Sequence, residues 1–126
     1  MSKILIVEDT PLNRELMQRR LEKRGYETIL ACDGAQALSM AALHVPDIIL
    51  LDLSIPEIDG WEVARRLKND PQLKQIPIIA LTAHAMFSDR EKAIAAGCDD
   101  FELKPIDFSR ILGKIKDFLK IREGMP

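Results

Sequence analysis

The segment Pro46-Asp47-Ile48-Ile49-Leu50-Leu51-Asp52 sets four branched apolar residues between a proline and an acid. Pro46 breaks the chain ahead of the run. A stretch apolar on both faces then suits a central strand covered on each side. It is far too short to cross a bilayer. The acid at its end, Asp52, is costly to bury and needs a partner.

Short β-rich runs alternate with helical patterns on either side of this segment. Lys3 to Val7 predicts a first strand, and Pro11 after Thr10 suits the first turn of a helix. Leu12, Leu16, Met17 and Leu21 are expected on one face of that helix, which ends at Gly25. Tyr26 to Ala31 predicts a second strand, and Asp33 caps a small-residue helix. Trp61 to Asn69 reads as helix, Ile76 to Leu81 as strand, Met86 to Ala96 as helix and Phe101 to Lys104 as a short strand. Phe108, Ile111, Leu112, Ile115, Phe118 and Leu119 keep helical spacing in the last element, with Asp107 as its N-cap. Five βα units imply a parallel sheet with helices on both faces. The pattern alone leaves strand order open between Rossmann-like and flavodoxin-like arrangements. In either, a ligand belongs at the carboxyl ends of the strands.

Composition bounds the function. The chain has 126 residues, 47% of them apolar, enough for one core and one domain. A formal charge of −2 argues against nucleic acid as a direct partner. The basic residues between Arg14 and Arg24 are interrupted by Glu15 and Glu22 and read as a solvated helix face. No signal-peptide pattern opens the sequence, so a cytoplasmic protein with no membrane contact is expected. Cys32 and Cys98 form no metal or redox motif and are expected to be free thiols.

The strand ends collect chemistry. Glu8-Asp9 follows the first strand, Asp52 the third, Thr82 the fourth and Lys104 the fifth. Three converging carboxylates repel one another, and Lys104 alone does not neutralise them. A hard cation with few protein ligands, Mg²⁺ retaining some waters, fits that donor set.

Four motifs, Ile6-Val7-Glu8-Asp9, Leu51-Asp52-Leu53-Ser54-Ile55-Pro56-Glu57-Ile58-Asp59-Gly60, Leu81-Thr82-Ala83 and Phe101-Glu102-Leu103-Lys104-Pro105, together resemble the response-regulator receiver family. The resemblance covers essentially the whole chain. It implies an α/β, flavodoxin-like (βα)₅ fold, a doubly wound five-stranded parallel sheet of order 2-1-3-4-5. It implies that Asp52 accepts a phosphoryl group from a phosphohistidine of a sensor histidine kinase or a histidine phosphotransfer protein. Asp9 and Asp52 would then bind Mg²⁺ (or Mn²⁺), with the Ser54 backbone carbonyl, and with Glu8 through water. Lys104 would contact the phosphoryl oxygens. Thr82 and Phe101 would form the switch pair, and Ser54 and His84 would tune the lifetime of the phosphate. The Lys104-Pro105 peptide is often cis in this family.

The same resemblance implies a two-component or phosphorelay signalling protein rather than an enzyme, with only its own autophosphorylation and autodephosphorylation. Its finer pattern is similar to receivers of hybrid histidine kinases and stand-alone regulators. Residues 1–122 are expected to form a single receiver domain, with 123–126 as a short tail and no output domain. Output is then expected through a protein partner at the fourth helix, fifth strand and fifth helix. Three rival readings stand beside it. A haloacid-dehalogenase-type hydrolase normally has a second Asp where Ser54 stands. A flavin carrier needs a phosphate loop where Glu8-Asp9 lies. A pseudo-receiver acting only as an interaction module would not need the complete set of site residues.

Overall fold

The structure is a computed structural model and describes residues 2–83 and 87–123. Ten elements alternate along the chain: β1 (Lys3–Val7), α1 (Pro11–Lys23), β2 (Glu27–Ala31), α2 (Gly34–His44), β3 (Ile48–Asp52), α3 (Gly60–Asn69), β4 (Ile78–Thr82), α4 (Phe87–Ala95), β5 (Asp100–Leu103) and α5 (Phe108–Glu123). All strand pairs are parallel, and their order is β2-β1-β3-β4-β5. This is the flavodoxin-like arrangement. The order reverses between β1 and β3, where a crevice opens at the strands' carboxyl ends.

The central position of β3 follows from its composition. Ile48 through Leu51 are fully buried, and alternate side chains enter opposite cores. Burying each contributes about 1.5–3 kcal/mol. On one face Leu5, Val7, Ile49, Leu51 and Ala80 pack against Ala37, Ala41, Val63, Ala64, Leu67 and Ala93 of α2, α3 and α4. On the other, Ile4, Ile6, Leu50, Ile79 and Leu81 meet Met17 and Leu21 of α1 and Ile111, Ile115 and Leu119 of α5. Among the described residues no helix is long and apolar enough to cross a membrane.

Two sequence expectations are corrected here. Leu12 and Leu16 do not share the buried face of α1: they are 65% and 46% exposed, whereas Met17 and Leu21 are buried. At 3.6 residues per turn the two pairs lie about 140° apart around the helix. The fourth strand starts at Ile78, not Ile76. Pro77 has no N–H to donate, and only its carbonyl joins the sheet, accepting from the Ile49 N–H at 2.9 Å.

Capping follows chemistry. Asp33 accepts from the Gln36 N–H at 2.7 Å, and Asp59 from the Glu62 N–H at 2.9 Å, each at a helix N-terminus. Asp107 does the same for α5, accepting from the Arg110 N–H at 3.3 Å. Gly60, at the start of α3, is required by space: a Cβ there would stand 2.5 Å from the Leu53 Cα. That close approach fixes the loop leaving Asp52.

Candidate metal and phosphoacceptor site

Glu8 is held at the carboxyl end of β1 because its N–H continues the pairing with β2, donating to the Ala31 carbonyl at 3.1 Å. Its side chain is 1% exposed, while Asp9 turns to solvent. Asp52 is the last residue of β3 rather than the residue after it, and is also buried. Carboxylate oxygens of Glu8, Asp9 and Asp52 lie within 4.8 Å of one another. The sequence-predicted acids therefore do converge.

Lys104 reaches this cluster from just beyond β5. Its Nζ lies 3.0 Å from Asp52 Oδ2, and 3.1 and 3.4 Å from the Glu8 oxygens. The other Asp52 oxygen, Oδ1, accepts the Ser54 backbone N–H at 2.9 Å. The Lys104-Pro105 peptide is cis.

The electrostatics are those of crowded anions with one counter-charge. Burial holds the Glu8 carboxyl above the ordinary carboxylate value, and neighbouring Asp52 pushes it the same way, with Lys104 pulling against both. Burial alone would lower the Lys104 ammonium, but its bonds to Asp52 and Glu8 outweigh that and hold it above the ordinary lysine value. The cluster thus carries more negative charge than its lysine offsets.

Thr82 ends β4 and is buried; in register it faces Leu103 of β5. Phe101 faces Ala80 in register and packs partly buried against the α2–α4 core. The two candidate switch residues thus sit on adjacent strands, two residues out of step. Ser54 is exposed just past Asp52. His84 lies outside the described residues.

Sequence reasoning missed Asn13 and Arg14. Asn13 Nδ2 donates to Glu8 Oε1 at 3.3 Å, and Arg14 Nη1 to the Glu8 carbonyl at 2.8 Å. Their position on the first turn after Glu8-Asp9 was the available signal; for Arg14 it was absorbed into the reading of a solvated face. Beside Glu8 and Lys104 opens a groove of about 350 Å³, walled by Leu16, Met17 and Arg20 of α1 and by Ile106 and Phe108. Arg20 stands 5.3 Å above the centre of the Phe108 ring, and both line this groove.

Cys32 and Cys98 are free thiols. Burial pushes the Cys98 thiol up to about 12, which makes it a structural group rather than a reactive one.

Comparison with known proteins agrees with this geometry. The profile of the response regulator receiver domain matches residues 4–116. The chain is 44% identical over 116 residues to the polar-differentiation response regulator DivK of Brucella anthropi, covering 92% of this chain and 94% of that protein. The signal receiver domain of a signal transduction histidine kinase from Syntrophus aciditrophicus superposes with a TM-score of 0.92 at 34% identity, over 100% of this chain and 96% of that one. The receiver domain of sensor histidine kinase PA1611 from Pseudomonas aeruginosa PAO1 gives a TM-score of 0.87 at 34% identity, over 94% and 98% of the two chains. That structure has a magnesium ion coordinated in its active-site cleft.

Proposed function

We propose, on the premise that this chain belongs to the response regulator receiver domain family, that it accepts a phosphoryl group on Asp52 from a phosphohistidine in a Mg²⁺-dependent reaction. The observation that carries this reading is the convergence of Glu8, Asp9 and Asp52, with Lys104 bonded to both buried acids. The donors fit a hard divalent cation: they are all oxygens, close together, and in excess of their counter-charge. Asp9 and Asp52 would hold it directly, with the Ser54 carbonyl, and Glu8 through water; Mn²⁺ is the alternative ion. Bound there, it would neutralise charge on the transferring phosphoryl oxygens.

The chain's own residues supply nucleophile and positioning. A carboxylate oxygen of Asp52 forms the new bond to phosphorus as the bond to the donor imidazole breaks, its electron pair leaving with the imidazole. The Ser54 N–H fixes the rotation of the Asp52 carboxylate. Lys104 moves from Glu8 to the phosphoryl oxygens, where the developing charge lies. The Thr82 hydroxyl then bonds a phosphoryl oxygen, and the Phe101 ring follows into the space it leaves. Lacking a phenolic hydroxyl, Phe101 signals by its shape alone. Ser54 and His84 set how fast water removes the phosphate.

The phosphohistidine donor is a sensor histidine kinase or histidine phosphotransfer protein. The groove beside Lys104, with exposed Leu12 and Leu16 along α1, gives such a partner an apolar seat next to Asp52. The output partner meets the α4, β5 and α5 face. Residues 1–122 act as one receiver unit in the cytoplasm. The chemistry is a signalling event, not turnover of a metabolite.

The test is transfer from an autophosphorylated histidine kinase carrying a radiolabelled phosphoryl group. Label should move to this chain with Mg²⁺ and stay on the kinase in EDTA. Label that never moves from any of a panel of kinases, with Mg²⁺ present, contradicts the reading.

A further inference from the structure

Among the described residues β5 is an edge strand, paired with β4 on one side. An exposed edge leaves backbone groups to be satisfied by something other than a neighbouring strand. At Phe101 both are taken by side chains. Its N–H donates to Asp100 Oδ1 at 2.7 Å, and its carbonyl accepts from Lys114 Nζ of α5 at 3.2 Å.

Lys114 does more than cover that carbonyl. Its Nζ is 3.0 Å from Asp100 Oδ1 and 2.7 Å from Glu102 Oε1, so one ammonium holds three successive residues of β5. Glu102 is buried, and Arg110 Nε approaches the same oxygen at 3.3 Å. Apart from these charged contacts, α5 packs on the sheet through apolar Ile111, Ile115 and Leu119, without direction. Apolar contacts let a helix slide; a charge-assisted bond to a backbone carbonyl does not.

We propose that Lys114 is a positioning residue that couples the Phe101 backbone to α5, so that rearrangement at Phe101 reaches the α5 surface through this ammonium. The proposal rests on the reading of Phe101 as the moving half of the switch. Its consequence is that α5 responds to the phosphate on Asp52 through its hold on β5. Coupling of this kind needs a shared two-state element, and the clamp on β5 supplies it.

The experiment follows backbone amide chemical shifts of the full chain before and after Mg²⁺ with beryllofluoride, a phosphoryl mimic. In the parent, shifts are expected at Thr82, at Phe101 and along α5 around Lys114. In Lys114→Met, those at Thr82 and Phe101 remain and those along α5 are lost, while Lys114→Arg restores them. Lys114→Met strips the buried Glu102 of its nearer cation, so Glu102→Gln combined with Lys114→Met is run beside it. That pair removes both charges and should show the same loss in a folded protein. An α5 response as large in the folded double variant as in the parent overturns the coupling alone. A parent that shows no response at Thr82 or Phe101 overturns the phosphoacceptor reading, and the coupling with it.

Discussion

Lys104 Nζ and Asp52 Oδ2 stand 3.0 Å apart, an ionic contact that links the end of β3 to the end of β5 across the intervening β4. The same ammonium lies 3.1 Å from Glu8 Oε2, so one cation is shared between two buried acids. Stability and function meet in that sharing. The lysine makes the acid cluster tolerable, yet it falls short of neutralising it, and the shortfall is what a divalent cation would fill.

Lys104→Gln should therefore destabilise the metal-free protein by about 2–3 kcal/mol, somewhat below the range for a fully enclosed pair. The discount reflects a Lys104 side chain that is 24% exposed. Urea unfolding in EDTA gives this number. Added Mg²⁺ should stabilise the variant more than the parent, because the unbalanced charge it meets is larger.

The pH dependence has a definite sign. Glu8 titrates above its ordinary value in the folded state, chiefly through burial. A folded acid with a raised pKa binds protons more tightly than the unfolded chain, so its ionisation removes stability as pH rises. Lys104, held above the ordinary lysine value, stays charged across this range and adds no slope. Glu8→Gln should thus gain on the parent as pH rises above the ordinary glutamate value of about 4.3 in metal-free buffer. Urea midpoints of both proteins across that range check it; a gap that narrows with rising pH would contradict it.

Val45 terminates α2 in the left-handed region, at φ 44° and ψ 68°, where a β-branched residue is strained. It is 48% exposed, so little apolar burial is at stake. Val45→Gly should raise stability by about 0.5–1 kcal/mol, the strain relieved less the added freedom of the unfolded chain. The urea midpoint should rise, and the level of phosphorylation by a small phosphodonor should not change.

Much of this was legible in the residues themselves. Four branched residues before Asp52 announced a doubly covered strand, and the residues at the strand ends announced the acid cluster with its lysine. Strand order was not legible from periodicity, because a run such as Ile48–Leu51 looks the same in any central position; it came from the resemblance. The face of α1 was misjudged because Leu12 and Leu16 repeat at helical spacing among themselves but out of phase with Met17 and Leu21. Asn13, Arg14 and Lys114 escaped because their contacts run from a side chain to a site on another element. Such bonds leave no period in the sequence. The strained cap at Val45 escaped for the opposite reason: glycine is the usual signal there, and it is missing.

Phosphoryl transfer to this protein turns on the carboxylate of Asp52. Intact-mass measurement after incubation with Mg²⁺ and acetyl phosphate tests it most directly, with Asp52→Asn and an EDTA sample in parallel. One added phosphoryl mass is expected in the parent, released by mild base, and none in the variant or in EDTA. Equal phosphoryl mass on Asp52→Asn, or none on the parent, would contradict it.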